Sequence, residues 1–226
     1  MPSTVSENDG IVTLVDVAVD VERVPVLRGL DLTVAAGESI GVVGANGSGK
    51  STLLRVLATL LPPVGGHGRV LGAELGTDEC FAVRPGIALV GHAPALYPRL
   101  TLGENLRFLA RLTGRRERAV DEALEAVGLA RAADRRAEVC SQGMLRRAEL
   151  ARVLLSQPRL LLLDEAHAGL DKASISLVEA VVERVRDGAG ASVVVSHDQP
   201  RLRGVADRLI EISSGQALPV GEEVPA

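Results

Sequence analysis

The run Ser39-Ile40-Gly41-Val42-Val43-Gly44-Ala45-Asn46-Gly47-Ser48-Gly49-Lys50-Ser51-Thr52 decides how this chain reads. Ser39 to Val43 is a short apolar stretch that stops at Gly44, as a buried strand does. Gly44 to Thr52 fits G-x-x-x-x-G-K-[ST]. From Ser51 to Leu61 the apolar residues fall at helical spacing, and Pro62-Pro63 ends that helix. Strand, glycine-rich loop and helix in this order open a parallel α/β sheet. The residue types suit a triphosphate. Glycines let backbone N–H groups curl round an anion with no Cβ in the way, and the helix starting near Lys50 points its positive end at the same place. Lys50 brings charge to the β- and γ-phosphates, and Ser51 offers a hydroxyl to Mg²⁺. The candidate nucleotide-binding residues are Gly44, Ala45, Asn46, Gly47, Ser48, Gly49, Lys50, Ser51 and Thr52, with ATP and Mg²⁺ as the expected cofactors. The bland alternative, a glycine-rich turn followed by a chance Lys-Ser, does not account for the flanking strand and helix.

Upstream, residues 11–19 alternate and are rich in Val, and residues 26–36 give a second strand that ends in the turn Ala36-Gly37-Glu38. Downstream the composition shifts. Residues 92–157 are rich in Arg, Glu, Ala and Leu and read as helices: one over about 102–112 with Thr101 and Glu104 as a capping box, one from Arg116 to Val127, and one begun by Ser141 and running to Gln157. Leu160 to Leu163 is a wholly apolar strand of the kind buried in parallel sheets. Lys172 to Arg186 is helical, and 191–195 and 208–212 are strands. These divisions predict one folding unit: an α/β core over about 11–91 and 158–215, a helical subdomain over about 92–157, and a flexible tail over 216–226.

The apolar strand ends in Asp164-Glu165. After a phosphate loop, an Asp at such a strand end suits Mg²⁺ and the following Glu suits a general base for water. The alternative is a charge pair at a helix start. Asp164-Glu165-Ala166-His167 also spells the DEAH box of certain helicases, but those use two tandem nucleotide-fold domains and this chain has room for one. Ser141 by itself reads as an ordinary N-cap.

Taken together, these motifs resemble the ATP-binding subunits of ABC transporters over about residues 12–215. Cys140-Ser141-Gln142-Gly143-Met144-Leu145-Arg146-Arg147 is similar to the family signature, Ala168-Gly169-Leu170-Asp171 to its D-loop, and Val193-Val194-Val195-Ser196-His197-Asp198 to its switch strand and histidine. The resemblance implies a phosphate-loop core with a parallel sheet, an N-terminal antiparallel β part and an inserted helical subdomain. It implies Glu165 and His197 as catalytic residues, with Ser51 and Asp164 holding the metal. It further implies that Ser141, Gln142, Gly143 and Met144 face the nucleotide of a second copy in a head-to-tail dimer, with Asp171 running across the interface.

Several positions depart from the family pattern. Val21, flanked by Glu22 and Arg23, stands where an aromatic residue usually stacks on adenine, so the base would be held by apolar contact or by an Arg plane. His92 stands where a glutamine reaches toward the metal, and either ligates there, orients water or shapes the loop. Ala166 replaces a proline, and Gln142 a glycine. Gly91-His92, the run Ala95 to Phe108 and the missing aromatic are similar to the haem-exporter ATPases of cytochrome c maturation. A drug-exporter ATPase, or a soluble ABC protein outside transport, is the alternative.

Composition narrows the partners. The chain has 226 residues, 46% hydrophobic, enough for a full core without disulfides or structural metal. Net charge is −4, with two Phe, one Tyr and no Trp. Neither a basic coat nor a base-stacking platform is available, so nucleic acid is not an expected partner. Cys80 and Cys140 read as reduced thiols. The polar start has no apolar core of a signal peptide, and nowhere do about 18 uncharged apolar residues follow one another. The expectation is a peripheral protein on the cytoplasmic face of the membrane, not itself inserted, docked on integral transporter subunits.

Overall fold

In the computed structural model, which describes residues 10–165 and 172–220, alternation of buried and exposed side chains shapes a first sheet. β1 (Gly10–Val21) and β2 (Val24–Ala35) pair antiparallel, with Val21 opposite Val24. Glu22 and Arg23 turn the chain at φ 51° and 67°, left-handed at both positions as a two-residue hairpin of matching twist requires. β4 (Gly65–Val70) flanks β1 on its other side and β5 (Ala73–Glu74) follows, giving the order β2-β1-β4-β5.

The second sheet joins β3 (Ser39–Val43), β6 (Ile87–Val90), β7 (Leu160–Asp164), β8 (Ala191–Val195), β9 (Arg208–Ser213) and β10 (Gln216–Pro219) in the order β10-β9-β3-β8-β7-β6. Its pairs are parallel except β9 with β10. β3 and β8 are buried along their whole length, and so is β7 up to Leu163. That is why they read as continuous apolar runs, since both faces are covered. Leu160 and Leu162 enter the core shared with the first sheet and α1 (Lys50–Leu57). Leu161 and Leu163 enter a second core with α3 (Leu102–Leu112), α4 (Arg118–Ala126), α5 (Gln142–Ser156) and α6 (Lys172–Asp187). Burying each leucine contributes roughly 1.5–3 kcal/mol. Two short helices, α2 (Glu79–Val83) and α7 (Gln199–Val205), complete the set among the described residues.

Helices α3, α4 and α5 all fall between β6 and β7 in the chain. The Thr101 hydroxyl accepts from the Glu104 N–H at 3.1 Å and the Glu104 carboxylate from the Thr101 N–H at 2.7 Å, closing the expected capping box on α3. The Ser141 hydroxyl accepts from the Met144 N–H at 3.3 Å to start α5, and Gln157, at φ 50°, ends it.

Several boundaries differ from the sequence reading. α1 stops at Leu57 rather than Leu61: Thr59 turns left-handed at φ 58°, and its carbonyl and hydroxyl accept from Arg84 at 2.8 and 3.0 Å. α4 begins two residues after Arg116 and ends one before Val127. The stretch expected to open a flexible tail at 216 is instead β10, a strand at the sheet edge, where Pro219 is tolerated.

Candidate active site

The parallel strands of the second sheet all deliver their loops to one edge. β3 runs into Gly44, β6 into Gly91-His92, β7 into Glu165, and β8 into Ser196-His197. Clefts outside the carboxyl ends of such strands are where α/β folds bind ligands. Here a cleft of about 490 Å³ is lined by Val21, Val26, Asn46, Gly47, Gly49, Lys50, Ser51, Thr52, His92, Asp164, Glu165 and His197.

The loop from Gly44 to Gly49 curls because two of its glycines admit nothing larger. A Cβ on Gly44, at φ 143°, would lie 2.5 Å from the Ile212 carbonyl oxygen, and one on Gly49, at φ 110°, would lie 2.9 Å from Leu27 Cδ2. Lys50 opens α1 at 7% exposure. Its Nζ donates to the carbonyls of Gly44 and Ala45, both at 2.8 Å, so the ammonium is held inside the curl. The Ser48 N–H donates to the Ala45 carbonyl at 3.2 Å, and its buried hydroxyl has no partner among the described residues.

Across the cleft the Ser51 hydroxyl donates to Asp164 Oδ2 at 2.9 Å. These two hard oxygens fit Mg²⁺, which takes one or two protein ligands and completes its octahedron with phosphate and water. Among the described residues no group of three or more His, Cys, Asp or Glu side chains forms an all-protein metal cage. Glu165 takes the left-handed conformation, φ 51°. Its Oε1 lies 3.1 Å from His197 Nε2. His92 is exposed on the same cleft wall.

Val21 reaches the cleft, but Glu22 and Arg23 do not line it; Val26, which the sequence reading passed over, does. Its signal was the alternation of β2, too weak to single it out. Arg146, quoted only as part of the run resembling the family signature, was given no role of its own: its guanidinium donates to the Gly91 carbonyl at 3.0 Å and to the Asp164 carbonyl at 3.3 Å. Ser141, Gln142, Gly143 and Met144 do not line the cleft. Ser141 and Gln142 are exposed at the start of α5. Asp171 lies outside the described residues, as do Ala166 and His167.

A glycine-cradled lysine at a strand–helix junction, faced by a Ser–Asp oxygen pair and a Glu–His pair, is the arrangement of a phosphate-loop nucleoside triphosphatase. More narrowly, the chain belongs to the ABC transporter family, whose model matches residues 27–168. It is 44% identical over 176 residues to the cytochrome c biogenesis ATP-binding export protein CcmA of Bordetella bronchiseptica, covering 75% of this chain and 76% of that one. It is 38% identical over 198 residues to the daunorubicin/doxorubicin resistance ATP-binding protein DrrA of Streptomyces peucetius, covering 85% of this chain and 59% of that one. The dimeric, post-hydrolysis ATP-binding cassette MJ0796 bound to ADP and Pi superposes with a TM-score of 0.82 at 25% identity, over 91% of this chain and 96% of that one.

Proposed function

We propose that this chain drives transport by hydrolysing ATP as one half of a head-to-tail dimer docked on integral membrane subunits, and that its cargo is haem exported for cytochrome c biogenesis. One observation carries the hydrolytic part: Lys50, the Ser51–Asp164 pair and the Glu165–His197 pair line a single cleft at the carboxyl edge of the sheet.

The steps follow from the side chains. On nucleotide binding, the Lys50 ammonium exchanges its contacts with Gly44 and Ala45 for β- and γ-phosphate oxygens. Ser51 and Asp164 hold Mg²⁺, which when bound offsets charge on the phosphates. Glu165 accepts a proton from water as the water oxygen bonds to the γ-phosphorus; the bond to the β,γ-bridging oxygen breaks and ADP leaves. His197 holds the Glu165 carboxylate and reaches the γ-phosphate. Imidazole is a poor ligand for Mg²⁺, so His92, on the wall of the same cleft, would orient water there rather than ligate the ion. Val21 and Val26 offer the base an apolar wall.

The start of α5 does not line its own cleft, so the site is completed by Ser141 to Met144 of a second copy, with Asp171 on the same interface. No helix among the described residues is long and apolar enough to cross a membrane; in this reading the chain docks on the integral subunits at the cytoplasmic face, through the helical subdomain over about 92–157. The CcmA relative supports haem as cargo; the DrrA relative supports drug export as the second reading. The test is deletion of the gene in its own host. Loss of covalent haem on c-type cytochromes, restored by the wild-type gene and not by Lys50→Ala, is expected. Intact cytochromes with lost drug resistance would replace haem by a drug.

A further inference from the structure

Arg146 sits on the second turn of α5, the helix that Ser141 caps. Its two terminal nitrogens reach separate strands: Nη1 donates to the Gly91 carbonyl at 3.0 Å and Nη2 to the Asp164 carbonyl at 3.3 Å. β6 and β7 are parallel neighbours, with Val90 opposite Leu163. Gly91 and Asp164 are the next residues along each chain. One planar fork therefore closes over the point where both strands leave the sheet. Beyond Gly91 comes His92, and beyond Asp164 comes Glu165, so the roots of two site-lining segments hang from one guanidinium. Arg presents paired, coplanar donors on two nitrogens; a lysine ammonium donates from one nitrogen and cannot reproduce that fork between two strands. Burial lowers the Arg146 pKa from the usual guanidinium value, and Glu149 and Asp164 oppose that shift. One turn further on, Glu149 is 1% exposed and accepts from Arg152 of the same helix at 2.8 Å.

We propose that Arg146 is a positioning residue that ties the start of α5 to the chain's own cleft, so that a nucleotide pressed on Ser141 by a second copy sets His92 and Glu165 through the Gly91 and Asp164 carbonyls. A helix is stiff over one turn, and a coupling between sites needs a physical element that both of them bias. The inference rests on the dimeric ATPase reading above. Through Arg146 each bound ATP prepares both clefts: the one that holds it and the one behind the helix it touches.

The test compares wild type, Arg146→Lys and Arg146→Met in the full chain. It reads the Kd of a fluorescent ATP analogue, kcat, the Hill coefficient for ATP and the melting temperature. For Arg146→Met we expect nucleotide affinity to stay within about threefold and kcat to fall about tenfold or more, as loss of a charge-assisted pair implies. The Hill coefficient should drop from above unity to unity. Arg146→Lys should regain the melting temperature without regaining cooperativity, which separates positioning from mere support; if the Met variant does not fold, the Lys variant decides alone. Unchanged cooperativity in Arg146→Lys, or a wild-type Hill coefficient of unity, overturns the coupling and leaves the ATPase reading standing. A wild-type chain without hydrolysis, alone or with its membrane subunits, overturns the ATPase reading itself.

Discussion

Nε2 of His197 lies 3.1 Å from Oε1 of Glu165, and Glu165 makes that contact from a left-handed backbone at φ 51°. A residue with a Cβ takes that conformation at a cost of about 1–3 kcal/mol. The cost falls on the residue directly after a strand that is buried up to Leu163, where the backbone has little freedom to relax. Asp164 and Glu165 are adjacent, yet one carboxylate meets Ser51 and the other meets His197. An extended strand also sends neighbouring side chains apart; here the turn at Glu165 keeps both in the same cleft.

The first prediction concerns that pair. Glu165→Gln keeps the shape and can still bond His197, but it cannot take a proton. Turnover should fall by roughly 10²–10⁴, while ATP still binds and holds the dimer closed. Phosphate release and gel filtration with Mg·ATP measure the two. Near-normal turnover would remove Glu165 from the role of base.

Lys50 is the second. Its ammonium, nearly buried, bonds two loop carbonyls. Lys50→Ala leaves those carbonyls and the phosphates without a cation. Charge-assisted bonds are worth about 1.5–3 kcal/mol, so the Kd for ATP should rise about 10- to 100-fold. Titration of a fluorescent analogue reads it, and an unaltered Kd contradicts the cradle.

The Ser51–Asp164 contact gives the third. Asp164→Asn keeps the hydrogen bond from Ser51 but removes the one negative charge that this pair offers a cation. The Mg²⁺ concentration for half-maximal hydrolysis should rise about tenfold, the loss of one charged contact. Chelating the metal should stop wild-type hydrolysis and leave weaker nucleotide binding. An unshifted Mg²⁺ requirement in Asp164→Asn would mean that the carboxylate does not hold the ion.

What was readable in the sequence and what was not divides along a physical line. The phosphate loop stands out because its chemistry forces glycine at fixed spacing, and β7 because burial on both faces forces an apolar run. Ser141 and Thr101 could be read because a cap is local. Arg146 could be read only as one letter of the run resembling the family signature; its contacts could not, because its acceptors lie 55 and 18 residues away in the chain. β6 has four residues and follows Pro85, so its strand character comes from lying beside β7. The early end of α1 has the same origin, since Arg84 takes the Thr59 carbonyl from a distant segment.

Glu104 gives a prediction in pH. Hydrogen bonds from the Thr101 backbone and hydroxyl hold its pKa below the ordinary Glu value. A carboxylate depressed in the folded state contributes stability that is complete above its unfolded pKa and is lost as pH falls through the folded one. Glu104→Gln can still close the capping box but has no proton to gain. Its melting temperature should therefore fall less steeply than that of wild type on acidification below the ordinary Glu pKa, with the two curves parallel near neutrality. Scanning calorimetry across that range decides it; identical acid limbs would show that the capping carboxylate adds no linkage.

Asn105 supplies the last and least local of the stability tests. It is 5% exposed on α3, and one amide satisfies the whole turn that leads into the helix. Its Oδ1 accepts from the Tyr97 N–H at 2.7 Å, and its Nδ2 donates to the carbonyls of Thr101, Tyr97 and Leu100 at 2.9, 3.2 and 3.4 Å. Asn105→Ala strands the Tyr97 N–H and takes the side-chain donor from three carbonyls that keep backbone bonds from Leu100, Ala137 and Asn105; it should cost about 1–3 kcal/mol, a fall of about 2–12 °C in Tm for a chain of this size. Asn105→Asp is the sharper probe, because it conserves the acceptor for Tyr97 while setting a carboxylate against three carbonyl oxygens. If the donor side of the amide holds the turn, Asn105→Asp must be less stable than Asn105→Ala near neutral pH and recover on acidification, when the carboxyl regains a proton to donate. An aspartate variant more stable than the alanine variant would mean that the single bond to Tyr97 is what matters, and that the backbone donors already on the three carbonyls suffice.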